Sequence, residues 1–269
     1  MVRMSMDNQQ LTLPIDLSDG IYFGKEAAQA TGRALSAAYT SATPFPHIVI
    51  DDFLPTELIE TILVNFPIEK SNNEINYEKG YKGLHKRQVD PNECNQYLRG
   101  VFQFFNSAPM LQFFEKLTGI NGLIADPYFT GGGFHEIKTG GLLGVHSDFR
   151  INKSLHVERR INAIIYLNKD WQDSYGGNLE LWDAGMTTCL KQIAPIFNRC
   201  VVFNTDADSN HGHPEPLNTP ENITRRSIAL YYYTASQAVY DNYVEHRTLY
   251  KARPKDKGIF KKIISKLKK

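Results

Sequence analysis

The sequence has few cysteines, no long apolar run and almost no net charge. Its three cysteines form neither an even set nor a Cys-x-x-Cys pair, which argues against a disulfide scaffold and against a structural zinc site. No stretch approaches the roughly 18 apolar residues of a transmembrane helix, and the first residues lack the apolar core of a signal peptide. We therefore expect a soluble, cytoplasmic protein.

The charge balance limits the kinds of binding partner that the protein is expected to have. The chain of 269 residues carries 30 basic and 29 acidic side chains, a net charge of +1, so no global field favours nucleic acid or an acidic substrate. Any charged partner must be recognised locally, and we expect no nucleic-acid partner. The composition, 42% hydrophobic and 22% charged, is typical of a globular protein with one substantial core.

The first half of the chain predicts helices. Residues 1–43 look like a polar leader that ends in a small-residue helix on the surface, and residues 68–95 look like a long polar loop. A strand is expected over 45–54. Apolar residues at helical spacing predict helices over 55–67, 96–107 and 108–118.

From residue 122 onward the pattern changes to short strands separated by glycine and asparagine, without a helical period. Such a pattern is typical of a β-sandwich or barrel, so the fold class is α+β. The predicted organisation is a leader over 1–43, one domain over 44–250 with its β core over about 122–235, and a basic tail over 251–269.

The tail has an amphipathic pattern. Residues 255–269 contain seven lysines and one aspartate, and their apolar residues fall on one helical face. Such a segment can dock on an anionic membrane surface. We favour the plainer interpretation, a solvated tail that packs a few apolar residues on its own domain.

A candidate metal site begins at His146 and Asp148. They have the same parity on an extended strand, so both side chains leave the same face and can reach one ion. Two histidines and one carboxylate form the facial site typical of iron(II) oxygenases. The third ligand is His211 or His213. We favour His211, because Pro214 holds His213 in an extended conformation at the rim of a strand.

A candidate carboxylate receptor lies on the strand after residue 224. Arg225 and Ser227 share one face, where a guanidinium fork and a hydroxyl would receive a carboxylate. A buried unpaired arginine is costly. Taken alone, the strand is better explained as a surface strand whose arginines bind nearby acids.

Together these residues carry a resemblance to the iron(II)- and 2-oxoglutarate-dependent dioxygenases, and among them to the prolyl 4-hydroxylase branch. The resemblance runs from Phe45 to Thr234 and is specific from residue 142 onward. Its motifs, in chain order, are His146-x-Asp148, Tyr166-Leu167-Asn168, Gly176-Gly177-Asn178-Leu179, His211 and Arg225-x-Ser227.

The resemblance implies a double-stranded β-helix, or jelly-roll, core with the N-terminal helices packed on one sheet. It also implies roles for seven residues. Iron would be held by His146, Asp148 and His211. The cosubstrate 2-oxoglutarate would be held by Arg225 with Ser227, Tyr166 and Asn162. Dioxygen is the second cosubstrate, and ascorbate is a candidate reductant.

The implied reaction is hydroxylation of an aliphatic C–H bond, with succinate and CO2 as coproducts. Asp148 is present, whereas halogenating relatives give up the carboxylate ligand. A prolyl residue in a protein or peptide is the branch-level substrate, and a free amino acid, a peptide natural product or a sugar-linked intermediate stays open. A non-catalytic β-barrel scaffold that keeps the metal site is the alternative from another class.

Four residues are candidates for substrate contact. Phe149 and Arg150 follow the ligand pair directly, His156 lies in the next loop, and His213 is the second histidine of the His-Gly-His motif. Both histidines could equally be surface residues. The glycine-rich segment 130–145 is expected to be a flexible rim of the site. The oligomeric state stays open.

Overall fold

The computed structural model describes residues 8–69 and 74–236, so the basic tail predicted over 251–269 lies outside the described residues. The described helices are α1 (Lys25–Thr40), α2 (Thr56–Val64), α3 (Gln96–Phe105) and α4 (Ala108–Thr118). The described strands are β1 (Gln9–Gln10), β2 (Ile15–Asp16), β3 (Tyr22–Phe23), β4 (His47–Asp51), β5 (Ile75–Tyr77), β6 (Leu84–Val89), β7 (Ile124–Ala125), β8 (Gly133–His146), β9 (Ile151–Asn152), β10 (Val157–Tyr166), β11 (Leu179–Trp182), β12 (Cys189–Ile193), β13 (Cys200–Asn204), β14 (His211–His213) and β15 (Arg225–Ala235).

Two sheets share strand β8 and form the double-stranded β-helix. The larger sheet has the order β1-β4-β13-β10-β15-β8-β6-β5, and the smaller sheet has the order β12-β11-β14-β8. All these pairs are antiparallel except β1 with β4. The buried side chains of Tyr166, Leu181 and Phe203 belong to the cluster that fills the space between the sheets. The predicted α+β class and β-helix core are confirmed.

The helices cover the outer face of the larger sheet. One buried cluster joins apolar residues of all four helices to Ile48, Ile161 and Leu230 of β4, β10 and β15. The alternation of these strands explains the arrangement, because one face of each strand points to the helices and the other to the second sheet. The predicted packing of helices on one sheet is confirmed. No helix in the described ranges combines the length and hydrophobicity needed to cross a bilayer.

The N-terminal segment differs from the expected polar leader. Helix α1 packs along α4, and Leu13, Phe23 and Tyr39 are buried in the common core. The Tyr39 hydroxyl donates a hydrogen bond to Asn204 Oδ1 at 2.6 Å. The predicted helix therefore lies on the surface with one face buried in the common core and the other face exposed. Its small residues allow close packing: a Cβ at Gly32 would lie 2.4 Å from the Phe113 carbonyl oxygen.

The glycine-rich segment 130–145 is also different from the expectation. Most of it belongs to the continuous strand β8, which pairs with β15 and β6 in its first part and with β14 at its end. The strand bends at Gly140, whose φ is +73°, and at Gly141, where a Cβ would lie 2.8 Å from the Leu84 carbonyl oxygen. Glycine here lets one strand serve two sheets.

The region predicted as a long loop contains strands β5 and β6. Pairing with β8 places β6 inside the larger sheet. Lys86 faces the interior of the β-helix, whereas Arg87 on the other face forms ion pairs with Glu74 and Glu136. Because both faces of β6 are polar, the strand carries no apolar alternation.

Candidate active site

The candidate metal ligands come together where β8 meets β14. Strand pairing puts His211 directly opposite His146, and Asp148 follows β8 by two residues. The Asp148 carboxylate lies 3.7 Å from His146 Nε2 and 3.4 Å from His211 Nε2. One ligand atom from each of the three residues lies within 4.8 Å of the others. The structure therefore assembles the predicted triad with His211 as its third member.

Main-chain carbonyls orient both histidine rings. His146 Nδ1 lies 2.9 Å from the Gly144 carbonyl oxygen, and His211 Nδ1 lies 2.9 Å from the Ser209 carbonyl oxygen. A carbonyl only accepts, so each Nδ1 carries the proton and donates it. Each Nε2 is left with a free lone pair beside Asp148. This is the tautomer that binds a metal through Nε2.

The protonation of the triad also suits a cation. Burial alone would raise the pKa of Asp148, but the Arg159 guanidinium and the two histidines outweigh it and hold that pKa far below its usual range. Burial lowers the pKa of His211 to about 4, against the opposing charge of Asp148. At neutral pH Asp148 offers a carboxylate and His211 a neutral imidazole, the forms that bind metal. Burial would lower the pKa of His146, but the hydrogen bond and charge of Asp148 outweigh it and raise that pKa.

Arg159 is a site residue that the sequence did not reveal. Its side chain is 2% exposed and lies 3.0 Å from Asp148 Oδ2. It donates to Asn162 Oδ1 at 2.6 and 2.9 Å, and it stacks on the ring of Tyr231 at 3.5 Å from the centroid. Asn162 in turn donates to Asp148 Oδ2 at 2.7 Å. The pair therefore fixes the carboxylate ligand.

Simple alternation could not have found Arg159. Residues 159 and 162 have opposite parity, yet both side chains reach Asp148. The pairing of β10 with β15 shifts register between Arg159 and Ile161, and such a bulge turns the preceding residue to the other face. The only feature of the sequence that could have indicated Arg159 was the presence of an arginine shortly after the ligand pair.

Arg225 is buried and points inward, as the family resemblance implies. It is 5% exposed and donates to the Gly177 carbonyl oxygen at 2.8 Å and to the Tyr166 hydroxyl at 3.3 Å. Its neighbour Arg226 lies on the other face and pairs with Glu136 at 2.9 Å. No carboxylate of the described residues forms a salt bridge with Arg225. The surface-strand interpretation therefore fails for Arg225 and holds for Arg226.

One cavity of about 560 Å³ joins the triad to Arg225. Of the predicted site residues outside the triad, five line it: Phe149, Asn162, His213, Arg225 and Ser227. Tyr166 does not line the cavity, but its hydroxyl accepts a hydrogen bond from Arg225, which does. Two candidates for substrate contact do not line it. Arg150 is exposed and pairs with Glu158, and His156 is exposed in a turn with a φ of +54°.

The cavity wall also contains residues that were not predicted, in the region expected to be a loop and on β8. Lys86 on β6 and His135 on β8 face the cavity, and Tyr77, Tyr81 and Lys82 lie near them.

Comparison with known proteins agrees with this geometry. Residues 132–233 match the family model of the 2OG-Fe(II) oxygenase superfamily. This segment contains the triad, Tyr166 and Arg225. No curated protein sequence matches the chain.

Solved structures share the fold at low identity. A prolyl-4-hydroxylase from Pseudomonas putida is 16% identical, with 76% of this chain and 99% of that chain covered at a TM-score of 0.53. A prolyl hydroxylase from Trichoplax adhaerens, in complex with a hypoxia-inducible factor peptide, is 15% identical, with coverage of 77% and 91% and a TM-score of 0.53. An α-ketoglutarate-dependent epimerase of nogalamycin biosynthesis is 12% identical, with coverage of 83% and 93% and a TM-score of 0.52.

The triad, the inward Arg225 and the matched segment lie in one β-helix. Residues 132–233 therefore match the 2OG-Fe(II) oxygenase superfamily, and the fold is shared with prolyl 4-hydroxylases.

Proposed function

We propose that the protein is an iron(II)- and 2-oxoglutarate-dependent dioxygenase that hydroxylates an aliphatic C–H bond. Its coproducts would be succinate and CO2. A prolyl residue in a protein or peptide is the first candidate substrate, because two of the similar structures are prolyl hydroxylases. The observation that carries the proposal is the convergence of two Nε2 lone pairs and the Asp148 carboxylate in the cavity that also holds Arg225.

The triad fits iron(II) because it offers suitable donor atoms and because its side chains are already held in position. His146, Asp148 and His211 would hold the ion on one side and leave the cavity side open. Backbone acceptors fix the two rings, and Arg159 with Asn162 fixes the carboxylate. The ligands therefore need little rearrangement to bind.

Arg225 fits the distal carboxylate of 2-oxoglutarate. Its fork is held by Gly177 and Tyr166, and no carboxylate of the described residues forms a salt bridge with it. Ser227 lies two residues along the same face and adds a hydroxyl. The side-chain amide of Asn162 is hydrogen-bonded to Asp148 and Arg159. Its role in cosubstrate binding is therefore indirect, because it holds the metal ligand Asp148 in place.

The bound iron, with 2-oxoglutarate and dioxygen, would supply the oxidative decarboxylation that puts one oxygen atom into a C–H bond. The protein holds the cosubstrate by its charged end, keeps Asp148 ionised and encloses the open side of the triad in a narrow cavity. Phe149, which is 44% exposed, stands at the cavity edge where a substrate would enter.

The proposal is tested by binding and turnover. Anaerobic titration should show one iron(II) and one 2-oxoglutarate per chain, and succinate should form when air is admitted. His146→Ala should remove iron binding, whereas His85→Ala, an exposed histidine outside the cavity, should keep it. Absence of 2-oxoglutarate binding to the iron-loaded protein would support the scaffold alternative.

The product mass separates hydroxylation from other reactions of the same fold. A prolyl peptide or a small-molecule library incubated with the enzyme should yield a product heavier by one oxygen atom. A product of unchanged mass would instead indicate an epimerisation, the activity of one similar structure.

A further inference from the structure

We propose that Lys86 and His213 form a receptor for an anionic group, a carboxylate or a phosphate, on the primary substrate. The inference rests on the proposed function, because it concerns the same cavity. It adds a substrate class: molecules with a negative charge near the C–H bond that reacts.

Strand register places Lys86 across from the cosubstrate site. Arg225 on β15 and Lys86 on β6 both pair with Ile137, on opposite sides of β8. Two strand spacings separate them, about 10 Å between their backbones. All three side chains line the same cavity. A second positive group therefore stands beside the arginine that we assign to 2-oxoglutarate.

Lys86 forms no salt bridge in the described ranges, and Asp148 acts on it only as a more distant charge. Its ammonium lies 4.8 Å from the centroid of the Tyr77 ring, which attracts a cation but does not neutralise it. Among the described residues that line the cavity, Asp148 is the only carboxylate, and Arg159 and Asn162 already hold it. Burial lowers the pKa of Lys86 to about 8, so the amine is mostly charged at neutral pH.

His213 supplies an independent observation. It is 3% exposed, yet neither ring nitrogen has a hydrogen-bond partner among the described residues. The ring carries at least one N–H, and no described residue accepts from it. Burying a donor without an acceptor is unfavourable, and an acceptor atom on a ligand would remove that penalty.

Lys86 without a salt bridge and His213 with an unused N–H together indicate a ligand that carries more negative charge than 2-oxoglutarate. The cosubstrate brings two carboxylates, and these are matched by Arg225 and by the metal. Asp148 is matched by Arg159. Lys86 and the N–H of His213 are left over, and an anionic oxygen of the substrate would accept from both.

A binding experiment tests the receptor without turnover. The protein loaded with Zn(II) and 2-oxoglutarate is titrated with methylphosphonate and, in a second series, with acetate. Binding is followed by the NMR signals of lysine side chains. We expect saturable binding that Lys86→Met weakens by at least about tenfold, the loss of one charge-assisted hydrogen bond. Lys86→Arg should retain it.

Lys138→Met is the matched control. Lys138 is the neighbour of Ile137 on β8, but it is exposed on the opposite face, so its loss should leave anion binding unchanged. A thermal melt of each variant shows that the fold is kept. The comparison of the two anions distinguishes a phosphate from a carboxylate as the preferred group.

Turnover then tests the substrate class. Candidate substrates are offered as matched pairs, an acid and its primary amide, and succinate formation above the uncoupled rate is measured. We expect the acid to be preferred, and Lys86→Met to raise the KM for the acid while the KM for 2-oxoglutarate changes less.

Three results would overturn the receptor: no binding of either anion, equal binding by Lys86→Met, or displacement of the anion by added 2-oxoglutarate. The last would place Lys86 in the cosubstrate site. A protein that binds neither metal nor 2-oxoglutarate would defeat the proposed function alone, because the Lys86-dependent anion titration can be repeated on the metal-free protein.

Discussion

His211 and His213 lie two residues apart on β14, but their ring nitrogens have different surroundings. His211 Nε2 faces Asp148 at 3.4 Å, whereas His213 is outside the described cluster of ligands. We expect His211→Ala to abolish iron(II) binding and His213→Ala to retain it, measured by anaerobic titration. Loss of iron only in the His213 variant would reverse the assignment.

The side chain of Arg225 is assigned to the binding of 2-oxoglutarate. Arg225→Ala should raise the KM for 2-oxoglutarate by at least about tenfold, because a charge-assisted hydrogen bond contributes about 1.5–3 kcal/mol. Arg226→Ala is the matched control, since it removes the same group from the opposite face of the same strand. Equal KM values in the two variants would contradict the assignment of Arg225.

The sequence was sufficient to identify the site residues whose position follows from the order of motifs along the chain. His146, Asp148, His211 and Arg225 were found through spacing and through the family resemblance. Arg159 was missed because a bulge reverses the facing of its strand. His156 and Arg150 were predicted to touch substrate, but loops aim their side chains by local geometry, which spacing does not encode.

The pairing of β8 with β14 sets the distance between the two histidine ligands. A Cβ at Gly212 would lie 2.8 Å from the carbonyl oxygens of Leu143 and Gly144, and these backbone atoms cannot move without separating the strands. We expect Gly212→Ala to weaken metal binding by at least about tenfold, since a small misplacement of ligands has a large effect. Calorimetric titration with Zn(II) measures the change.

Gly185→Ala provides the control for that substitution. Gly185 lies in the turn between β11 and β12, where a Cβ would meet only the Thr187 methyl group at 3.6 Å. This variant should bind Zn(II) like the unmodified protein. Equal affinities for the Gly212 and Gly185 variants would show that the strand contact does not set the ligand geometry.

Glu136 ties three strands together on the outer face of the larger sheet. It pairs with Arg87 of β6 at 2.8 Å and with Arg226 of β15 at 2.9 Å. Burial would raise its pKa, but the Thr224 hydrogen bond and the two arginines outweigh this and lower it. We expect Glu136→Gln to lower the free energy of unfolding by about 3 kcal/mol at pH 7, since it removes the partner of Arg226 and one of the two partners of Arg87.

The pH dependence of this effect has a definite sign. A depressed pKa stabilises the fold above the usual value of 4.5, and the contribution disappears as the pH falls through the folded-state pKa. Denaturant unfolding of Glu136→Gln and the unmodified protein should therefore converge in acid. Glu60→Gln, which removes an exposed pair with Lys169, should cost less than about 1 kcal/mol at any pH.

Strands with buried apolar residues were predictable, and β6 was not. Strand β13 is apolar on both faces, because Cys200 and Val202 belong to one core cluster and Val201 and Phe203 to the other. Strand β6 has Lys86 toward the cavity and Arg87 toward Glu136, so its sequence is polar throughout. An element with a functional face and an ion-paired face is hidden from a hydrophobic pattern.

At the scale of the whole molecule, the N-terminal helix belongs to the same core as the β-helix. A Cβ at Gly32 would lie 2.4 Å from the Phe113 carbonyl oxygen, whereas a Cβ at Gly100 would meet nothing within 4 Å. We expect Gly32→Ala to destabilise by about 1–3 kcal/mol through overpacking. Gly100→Ala should stabilise by about 0.5–1 kcal/mol, because alanine favours helix.

Thermal unfolding followed by circular dichroism measures both changes. A single transition that moves down in one variant and up in the other would show that α1 and α3 unfold together. An unchanged transition in Gly32→Ala would contradict the close packing of α1 on α4.

The architecture was predictable from sequence to the extent that it follows from periodicity and family resemblance. The helices over 96–107 and 108–118 and the β-rich half emerged from their patterns. The packing of α1 did not, because half of its buried face consists of the small residues Ala28 and Gly32, and such residues are also common on exposed helices. Close approach of two backbones depends on the partner, and no single segment records it.

The two histidine ligands are aimed by main-chain oxygens, those of Gly144 and Ser209. Exchanging a side chain cannot delete a main-chain acceptor, although a Cβ at Gly144 would lie 2.4 Å from the Tyr81 carbonyl oxygen and would displace the strand. The rings of the metal centre are thus oriented by backbone atoms, while the cavity wall around Lys86 and Phe149 is built from replaceable side chains. Directed evolution toward a new substrate can therefore vary that wall while position 144 remains glycine.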